Sequence, residues 1–186
     1  MVTIIFLLLF QVYENQEQLV QRQVIVYNIP RHTAIEFING KKSVLVADSA
    51  LLANSRSLDY YTHNYRIAKG INSTEHLTLG KSNSSVGFDS FYFHKNIIQF
   101  FDYKLLFVEG DNDMINMNKM APINCLLLWG RSKIDVKKLR REDAIQYLLI
   151  DGSISSWIAR NLEEELDKYE IDFINIAKSG AHISVL

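Results

Sequence analysis

Two short segments near the start of the chain, residues 23–28 and 33–38, are interpreted as alternating runs, and a third apolar run follows at residues 43–47. Because a period of two places every second side chain on one face of a strand, the first two segments predict paired β-strands, and the third run is interpreted as a further strand. The dipeptide Asn39-Gly40 separates the second and third segments, and both residues tolerate positive φ angles, which favours a two-residue hairpin turn. We therefore expect three antiparallel strands in a row, the last of which ends at Asp48.

Apolar residues recur at helical spacing in two later segments. They predict helices over residues 55–68, with Asn54 or Ser57 as the cap, and over residues 155–169. The second helix has one apolar stripe, made of Ile154, Trp157, Ile158, Leu162 and Leu166. Residues 70–87 are rich in turn-forming residues and predict an irregular connection.

Two continuous apolar runs, residues 124–129 and 144–150, indicate strands that are buried on both faces. Further strands are expected at residues 88–93, 96–101, 103–109, 171–176 and 181–186, and a short basic helix at residues 135–142. Strands dominate the first two thirds, and strands alternate with helices at the end. The pattern predicts an α/β (α+β) fold in which two mixed sheets pack together with helices outside.

The N-terminal segment is apolar from Val2 to Phe10 and polar from Glu14 to Gln18. It is shorter than the roughly 20 residues that span a bilayer, and it lacks the basic start of a secretory signal. Three interpretations stay open: the end of a membrane helix whose beginning is absent from this chain, a short interfacial anchor, or a buried N-terminal strand or helix. The first is favoured because the polar segment follows at once, as at a membrane exit. We therefore divide the chain into residues 1–22 and a domain over residues 23–186.

Composition adds limits. With 186 residues, 48% hydrophobic residues and a net charge of −1, the chain is long enough for one globular core and has no global attraction to nucleic acid or anionic lipid. Such contacts must come from a local patch. The single cysteine, Cys125, excludes an internal disulfide and a cysteine metal cluster, and its apolar surroundings predict a buried side chain.

One local patch of basic residues stands out, at Arg131, Lys133, Lys137, Lys138 and Arg141. Such a cluster can bind the phosphate groups of DNA or of lipid headgroups. The alternative, an ordinary solvated helix face, stays open.

The order of these segments resembles the metallo-β-lactamase-type αββα sandwich, and most closely the C-terminal domain of ComEC-family competence proteins, the DNA-uptake channels of bacterial inner membranes. The segment from Val24 to Asp48 is similar to the opening hairpins of that domain. Asn124–Gly130 with Ala144–Asp151 resembles its late strand-loop-helix-strand segment, and Lys178–Val185 resembles its closing strand. The resemblance covers residues 23–186.

The resemblance implies a setting and partners. Residues 2–13 would be the end of the last membrane helix and would contact the lipid bilayer. The other partners would be the membrane channel portion of the same protein and single- or double-stranded DNA. The soluble domain would lie on the outer, periplasmic side of the inner membrane.

Active enzymes of this fold carry a His-x-His-x-Asp-His run, because two close divalent ions need clustered imidazoles and carboxylates. The five histidines of this chain are all more than five residues apart, and the late loop Trp129–Lys133 has none. We therefore interpret the domain as degenerate, with its metal site lost and no cofactor. Asp48 would mark the vestigial site and cap a turn or contact a backbone amide, and Arg31 and His32 would lie at the same end. A metal site assembled from scattered histidines stays an alternative.

The leading hypothesis is a non-catalytic domain of a competence channel that assists DNA entry in natural transformation. The first alternative is a divergent metal-dependent phosphodiesterase or nuclease, which metal content and cleavage of single-stranded DNA would distinguish. The second is a stand-alone, membrane-anchored interaction domain.

Overall fold

A computed structural model describes residues 2–80, 90–109, 122–132, 134, 136–139 and 145–186. In this part of the chain the helices are α1 Val2–Val20, α2 Ser49–Ala53, α3 Ser55–Ala68, α4 Val136–Leu139, α5 Ser156–Lys168 and α6 Ile176–Ser179. The strands are β1 Arg22–Val26, β2 Ala34–Asn39, β3 Lys42–Ala47, β4 Ser73–Thr78, β5 Phe91–His94, β6 Ile97–Phe100, β7 Tyr103–Glu109, β8 Ile123–Trp129, β9 Ile145–Ile150, β10 Phe173–Asn175 and β11 His182–Val185.

The strands form two sheets. The first has the order β11-β1-β2-β3-β4, in which only the β3–β4 pair is parallel. The second has the order β10-β9-β8-β7-β6-β5, in which β7 to β10 are parallel and β5 and β6 are antiparallel. Both sheets are therefore mixed, which confirms the predicted α+β class.

The main core lies between the two sheets, and strand alternation explains its composition. On β2, Ile35 and Phe37 belong to this core, whereas Ala34 and Ile38 belong to a second cluster on the other face of the sheet. The Phe37 ring meets the Phe100 ring of the second sheet edge to face, with centroids 5.6 Å apart. Cys125 is fully buried in this core, as predicted, and burial raises the pKa of its thiol to about 12.

Helices cover the outer faces of both sheets. Leu51 of α2 and Leu58 of α3 pack on the outer face of the first sheet. Leu162 and Leu166 of α5, with Leu139 of α4, pack on the outer face of the second. The layers therefore run helix, sheet, sheet, helix, consistent with the predicted sandwich, while the likeness to metallo-β-lactamases stays a prediction.

Three details differ from the sequence-based expectations. The hairpin turn lies at Gly40-Lys41, one residue later than predicted, with φ +61° at Gly40. Residues 73–78 form strand β4 instead of an irregular connection. Trp157 is 72% exposed, because at about 100° per residue it points some 140° away from Leu162, which lies in the buried stripe.

A buried ion pair ties the first sheet to α3. The carboxylate of Glu36 is fully buried on β2. Its Oε2 accepts a hydrogen bond of 2.6 Å from the Tyr27 hydroxyl, and its Oε1 accepts bonds of 2.6 Å from Ser43 Oγ and 2.8 Å from Arg66 Nε. Side chains from β2, β3 and α3, together with Tyr27 just after β1, therefore meet at a single charged group.

Helix α1 stands away from the cores. Most of its large apolar side chains that the structure describes are more than half exposed, among them Ile4, Ile5, Phe6, Leu7, Leu9, Phe10, Val12 and Tyr13. The interpretation of a buried N-terminal strand or helix is therefore wrong. No helix in the described ranges combines the length and the apolar character that a bilayer crossing requires.

Candidate functional site

The carboxyl ends of β3 and of the parallel strands β7, β8 and β9 meet at one edge of the sandwich. A cavity of about 750 Å³ opens there, which we call the cleft, and its lining includes Arg31, Thr33, Asp48, Glu109, Arg131 and Ser153. Thr33 and Asp48 come from the first sheet, and Glu109, Arg131 and Ser153 follow strands of the second. Side chains far apart in sequence are therefore brought together at this edge, which is where the resemblance places the vestigial site.

Asp48 has a structural role in the cleft. Its Oδ1 accepts a hydrogen bond of 2.9 Å from the Leu51 amide and so caps α2, and its Oδ2 accepts one of 2.9 Å from the Thr33 amide. His32 Nδ1 lies 3.1 Å from Oδ2. The predicted cap and amide contact are both present, and both carboxylate oxygens are already engaged.

Asp151 joins the two sheets beneath the cleft. Its Oδ2 accepts hydrogen bonds from Thr33 Oγ1 at 2.5 Å and from the Ser153 amide at 3.1 Å. Its Oδ1 is buried and has no hydrogen-bond partner among the described residues. Burial raises the pKa of this carboxyl group from 3.8 to about 6. Asp151 was not among the predicted site residues, although an acid that directly follows a buried strand is a signal for such a site.

Replacing Asp151 with asparagine is expected to change how stability depends on pH. In the wild type, the folded state holds its proton more tightly than the unfolded state, so the free energy of unfolding falls as pH rises from about 4 to 6. The raised pKa corresponds to at most about 3 kcal/mol. Asp151→Asn lacks this loss, and its stability relative to wild type should therefore rise between about pH 4 and pH 7. Urea unfolding at both pH values measures the difference.

The matched control is Asp167→Asn, an exposed position on α5. It should keep the pH dependence of the wild type. If Asp151→Asn also kept that dependence, the buried carboxyl group would not be the titrating group.

Arginines from both sheets surround the cleft. Arg31 and Arg131 are both exposed, and Arg31 lies at the same edge as Asp48 and His32, as predicted. Arg31 adopts φ +68°, a left-handed conformation that favours glycine, within a turn after β1. Of the other basic residues singled out in the sequence, Lys133 and Arg141 lie outside the described residues, as do the side chains of Lys137 and Lys138 on α4.

A second cavity of about 550 Å³ adjoins the cleft and shares Arg31 and Ser153 with it. It lies at the first turn of α5 and adds Arg160 and Lys178. Lys178 Nζ donates a hydrogen bond of 2.6 Å to Glu163, whereas Arg31, Arg131 and Arg160 form no ion pair with a carboxylate of the described ranges. Arg160 and Lys178 were not predicted as site residues. Arg160 lies on the exposed face of α5 and Lys178 on α6, and only the packing of these helices brings the two side chains to the same cavity.

The histidines are dispersed over the structure. His32 contacts Asp48 in the cleft, while His76 lies on β4 and His182 on β11. Within the part of the chain that the structure describes, no three side chains of His, Cys, Asp or Glu are close enough to hold a metal ion.

Comparison with known protein families places most of the chain in a known domain family. The family model of the ComEC C-terminal domain matches residues 24–186 of this chain. No curated protein and no solved structure matches significantly. The matched region begins within β1 and includes every element of both sheets.

Proposed function

Because the chain belongs to the ComEC C-terminal domain family, we propose that it acts as a non-catalytic domain that binds incoming DNA at the cleft. Membership of this family associates the chain with DNA uptake in competence and with a protein of the inner membrane. The finer proposal is that the domain guides DNA towards the channel in natural transformation.

The observation that carries the proposal is a group of three exposed arginines, Arg31 and Arg131 in the cleft and Arg160 in the adjoining cavity. Among the nearby carboxylates, Asp48 accepts backbone hydrogen bonds, Asp151 is buried, and Glu163 is paired with Lys178 and also interacts electrostatically with Arg160. Glu109 is the exposed acid on this edge. Guanidinium groups in this arrangement suit a phosphate backbone, which contributes most of the affinity in nucleic-acid binding.

The exposed ring of Trp157 favours single-stranded over double-stranded DNA as the ligand. Its ring is 72% exposed on the first turn of α5, one turn of helix before Arg160. Proteins that bind single strands combine a cationic groove with aromatic rings on which bases stack. A base stacked on Trp157 would leave its phosphate near Arg160.

The bonding of Asp48 supports a non-catalytic role. Its two oxygens accept hydrogen bonds from the Thr33 and Leu51 amides, which gives this carboxylate a structural role in fixing the turn before β2 and in capping α2. The helix-sheet-sheet-helix order is in keeping with a metallo-β-lactamase-like scaffold. In this proposal, Asp48 occupies the position of the lost metal site and caps α2. We further propose that α1 is the end of a membrane helix and that the domain lies on the periplasmic side.

Reversing two charges in the cleft is expected to weaken DNA binding. Arg31→Glu/Arg131→Glu replaces two phosphate-binding groups with repelling ones, and we expect the affinity for single-stranded oligonucleotides to fall at least about tenfold at low salt. The slope of log affinity against log salt should also become shallower. Fluorescence anisotropy with a labelled oligonucleotide measures both quantities.

The control is Arg56→Glu, which changes an exposed arginine on α3 away from the cleft. It should leave affinity nearly unchanged. Equal losses in the two variants would mean that binding is non-specific, and no binding by the wild type would remove the DNA proposal. Cleavage of the oligonucleotide after addition of Mn²⁺ or Zn²⁺ would favour the divergent phosphodiesterase instead.

A further inference from the structure

The junction of α1 with the domain lies at the edge opposite the cleft. Gln21 Nε2 donates hydrogen bonds to the carbonyls of Gly40 at 2.8 Å and of Lys69 at 2.7 Å, and the Gly40 amide donates to the Gln21 carbonyl at 2.9 Å. A Cβ atom at Gly40 would lie only 2.9 Å from the Leu19 carbonyl oxygen. The end of α1 is therefore packed tightly on the β2–β3 turn and on the end of α3.

Four basic residues surround this junction: Arg22, Lys41, Lys42 and Lys69. We call this surface the basal edge. Arg22 lies over the Phe101 ring, Lys69 lies over the Tyr65 ring, and Lys41 Nζ donates a hydrogen bond to Asn15 on α1. None of the four forms an ion pair with a carboxylate in the described ranges, although Glu14 and Glu17 lie on α1 nearby.

Strand β3 sets the separation between the basal edge and the cleft. It runs from Lys42 at the basal edge to Ala47, which precedes Asp48 in the cleft. Six residues of strand span about 20 Å. The two surfaces therefore face in opposite directions.

The exposed part of α1 fits a lipid environment better than a protein groove. Ile4, Ile5, Phe6 and Leu7 are consecutive and all more than half exposed, so they point to every side of the helix. A partner helix or groove covers one face, whereas the bilayer interior surrounds a helix completely. At about 1.5 Å per residue, the apolar run of residues 2–10 is close to 14 Å long, about one leaflet of hydrocarbon.

The next segment matches the headgroup layer. Residues 14–18 are polar and span about 7 Å of helix, similar to the polar layer on one side of a bilayer. The basal edge begins immediately after them, and the Lys41 ammonium reaches back to Asn15 inside that layer. Cations at this height attract anionic phospholipids.

We propose that the basal edge rests on anionic phospholipid headgroups while residues 4–13 of α1 enter the adjacent leaflet, so that the cleft opens away from the bilayer about 20 Å above it. This inference rests on the proposed function only in taking α1 as a membrane segment. It does not depend on DNA binding.

Vesicle flotation of the 186-residue chain tests the contact. The wild type should bind vesicles of phosphatidylcholine, and bind them more strongly when phosphatidylglycerol is added. Phe6→Glu/Phe10→Glu should lower binding to both at least about tenfold, since two charges would enter hydrocarbon. Lys41→Glu/Lys42→Glu should lower binding at least about fivefold, and only to the anionic vesicles. Unchanged binding by either variant would overturn the corresponding part of the proposal.

The cleft variant Arg31→Glu/Arg131→Glu is the matched control, because it reverses two charges on the opposite edge. It should bind vesicles like the wild type, and Lys41→Glu/Lys42→Glu should bind oligonucleotides like the wild type. These two assays separate the failure of the membrane contact from the failure of the DNA proposal.

Orientation requires a second readout. A fluorophore is attached to a cysteine introduced either at Asn72, beside Lys41, or at Ser49, beside Asp48, and both positions are exposed. Cys125 is buried and should remain unlabelled. A quencher on lipid headgroups should quench the dye at position 72 and leave the dye at position 49 bright. Equal quenching, or stronger quenching at position 49, would overturn the orientation.

Discussion

Replacing Arg66 with methionine is expected to lower the free energy of unfolding by about 3 kcal/mol or more. Arg66 Nε lies 2.8 Å from Glu36 Oε1, and the Glu36 carboxylate is completely shielded from solvent. Removing one partner of a buried ion pair leaves an uncompensated charge in a medium of low polarity. Methionine keeps an apolar side chain of similar length, so the effect reports the lost charge. Urea unfolding monitored by circular dichroism measures it.

A second substitution makes this prediction sharper. Glu36→Gln in the Arg66→Met background removes the unpaired charge. The amide oxygen still accepts from one of the two hydroxyls, Tyr27 or Ser43, and the amide nitrogen can donate to the other, so the double variant should recover part of the stability. The exposed Arg56, on the same helix, gives a control in Arg56→Met, which should change stability by less than about 0.5 kcal/mol. If the double variant were the less stable of the two, the charge would not be the cause.

Replacing Phe37 with alanine is expected to lower the free energy of unfolding by about 3–5 kcal/mol. The ring is fully buried between the sheets and makes edge-to-face contacts with Phe91 at 5.2 Å and Phe100 at 5.6 Å. Its removal leaves a cavity in a layer where strands from both sheets hold the neighbouring side chains in place, so collapse is limited. The thermal unfolding midpoint should fall by several degrees or more.

Tyr92→Ala is the matched control for this core substitution. Tyr92 is an aromatic residue on β5, next to Phe91 in sequence, but it is 61% exposed. Its loss should change stability by less than about 0.5 kcal/mol. If both variants lost a similar amount of stability, the effect would come from the strand propensity of the aromatic residue and not from its packing in the core.

The sequence predicts most of the fold where periodicity is strong. Strands β1 to β3 are short apolar segments flanked by turn residues, and β8 and β9 are longer apolar runs, so each was expected near its observed position, although β1 to β3 are buried almost throughout instead of alternating. Strand β4 was missed because Ser73–Thr78 is polar and only partly buried. Its conformation comes from parallel pairing with β3 at the edge of the sheet, after the intervening helices α2 and α3, and local sequence carries little of that information.

The candidate site was predictable only in part, for a physical reason. Asp48 could be found because it directly follows a short apolar strand and its cap is local, three residues from Leu51. The bond from Thr33 to Asp151 joins residues 118 positions apart, and the approach of Arg31 to Arg131 depends on how the two sheets pack. Such contacts follow from topology, which periodicity alone does not fix.

The pairing of β11 with β1 has a consequence for the synthesis of the domain. Strand β1 lies inside the first sheet, yet one of its two neighbours is the last strand in the chain, with Gln23 opposite Val185. During synthesis β1 precedes β11 by more than 150 residues, so one edge of β1 stays open until those residues have been added. A contact of such high sequence separation slows folding, and an open strand edge is a site for intermolecular pairing. We therefore expect the nascent domain to be most prone to aggregation before β11 is made.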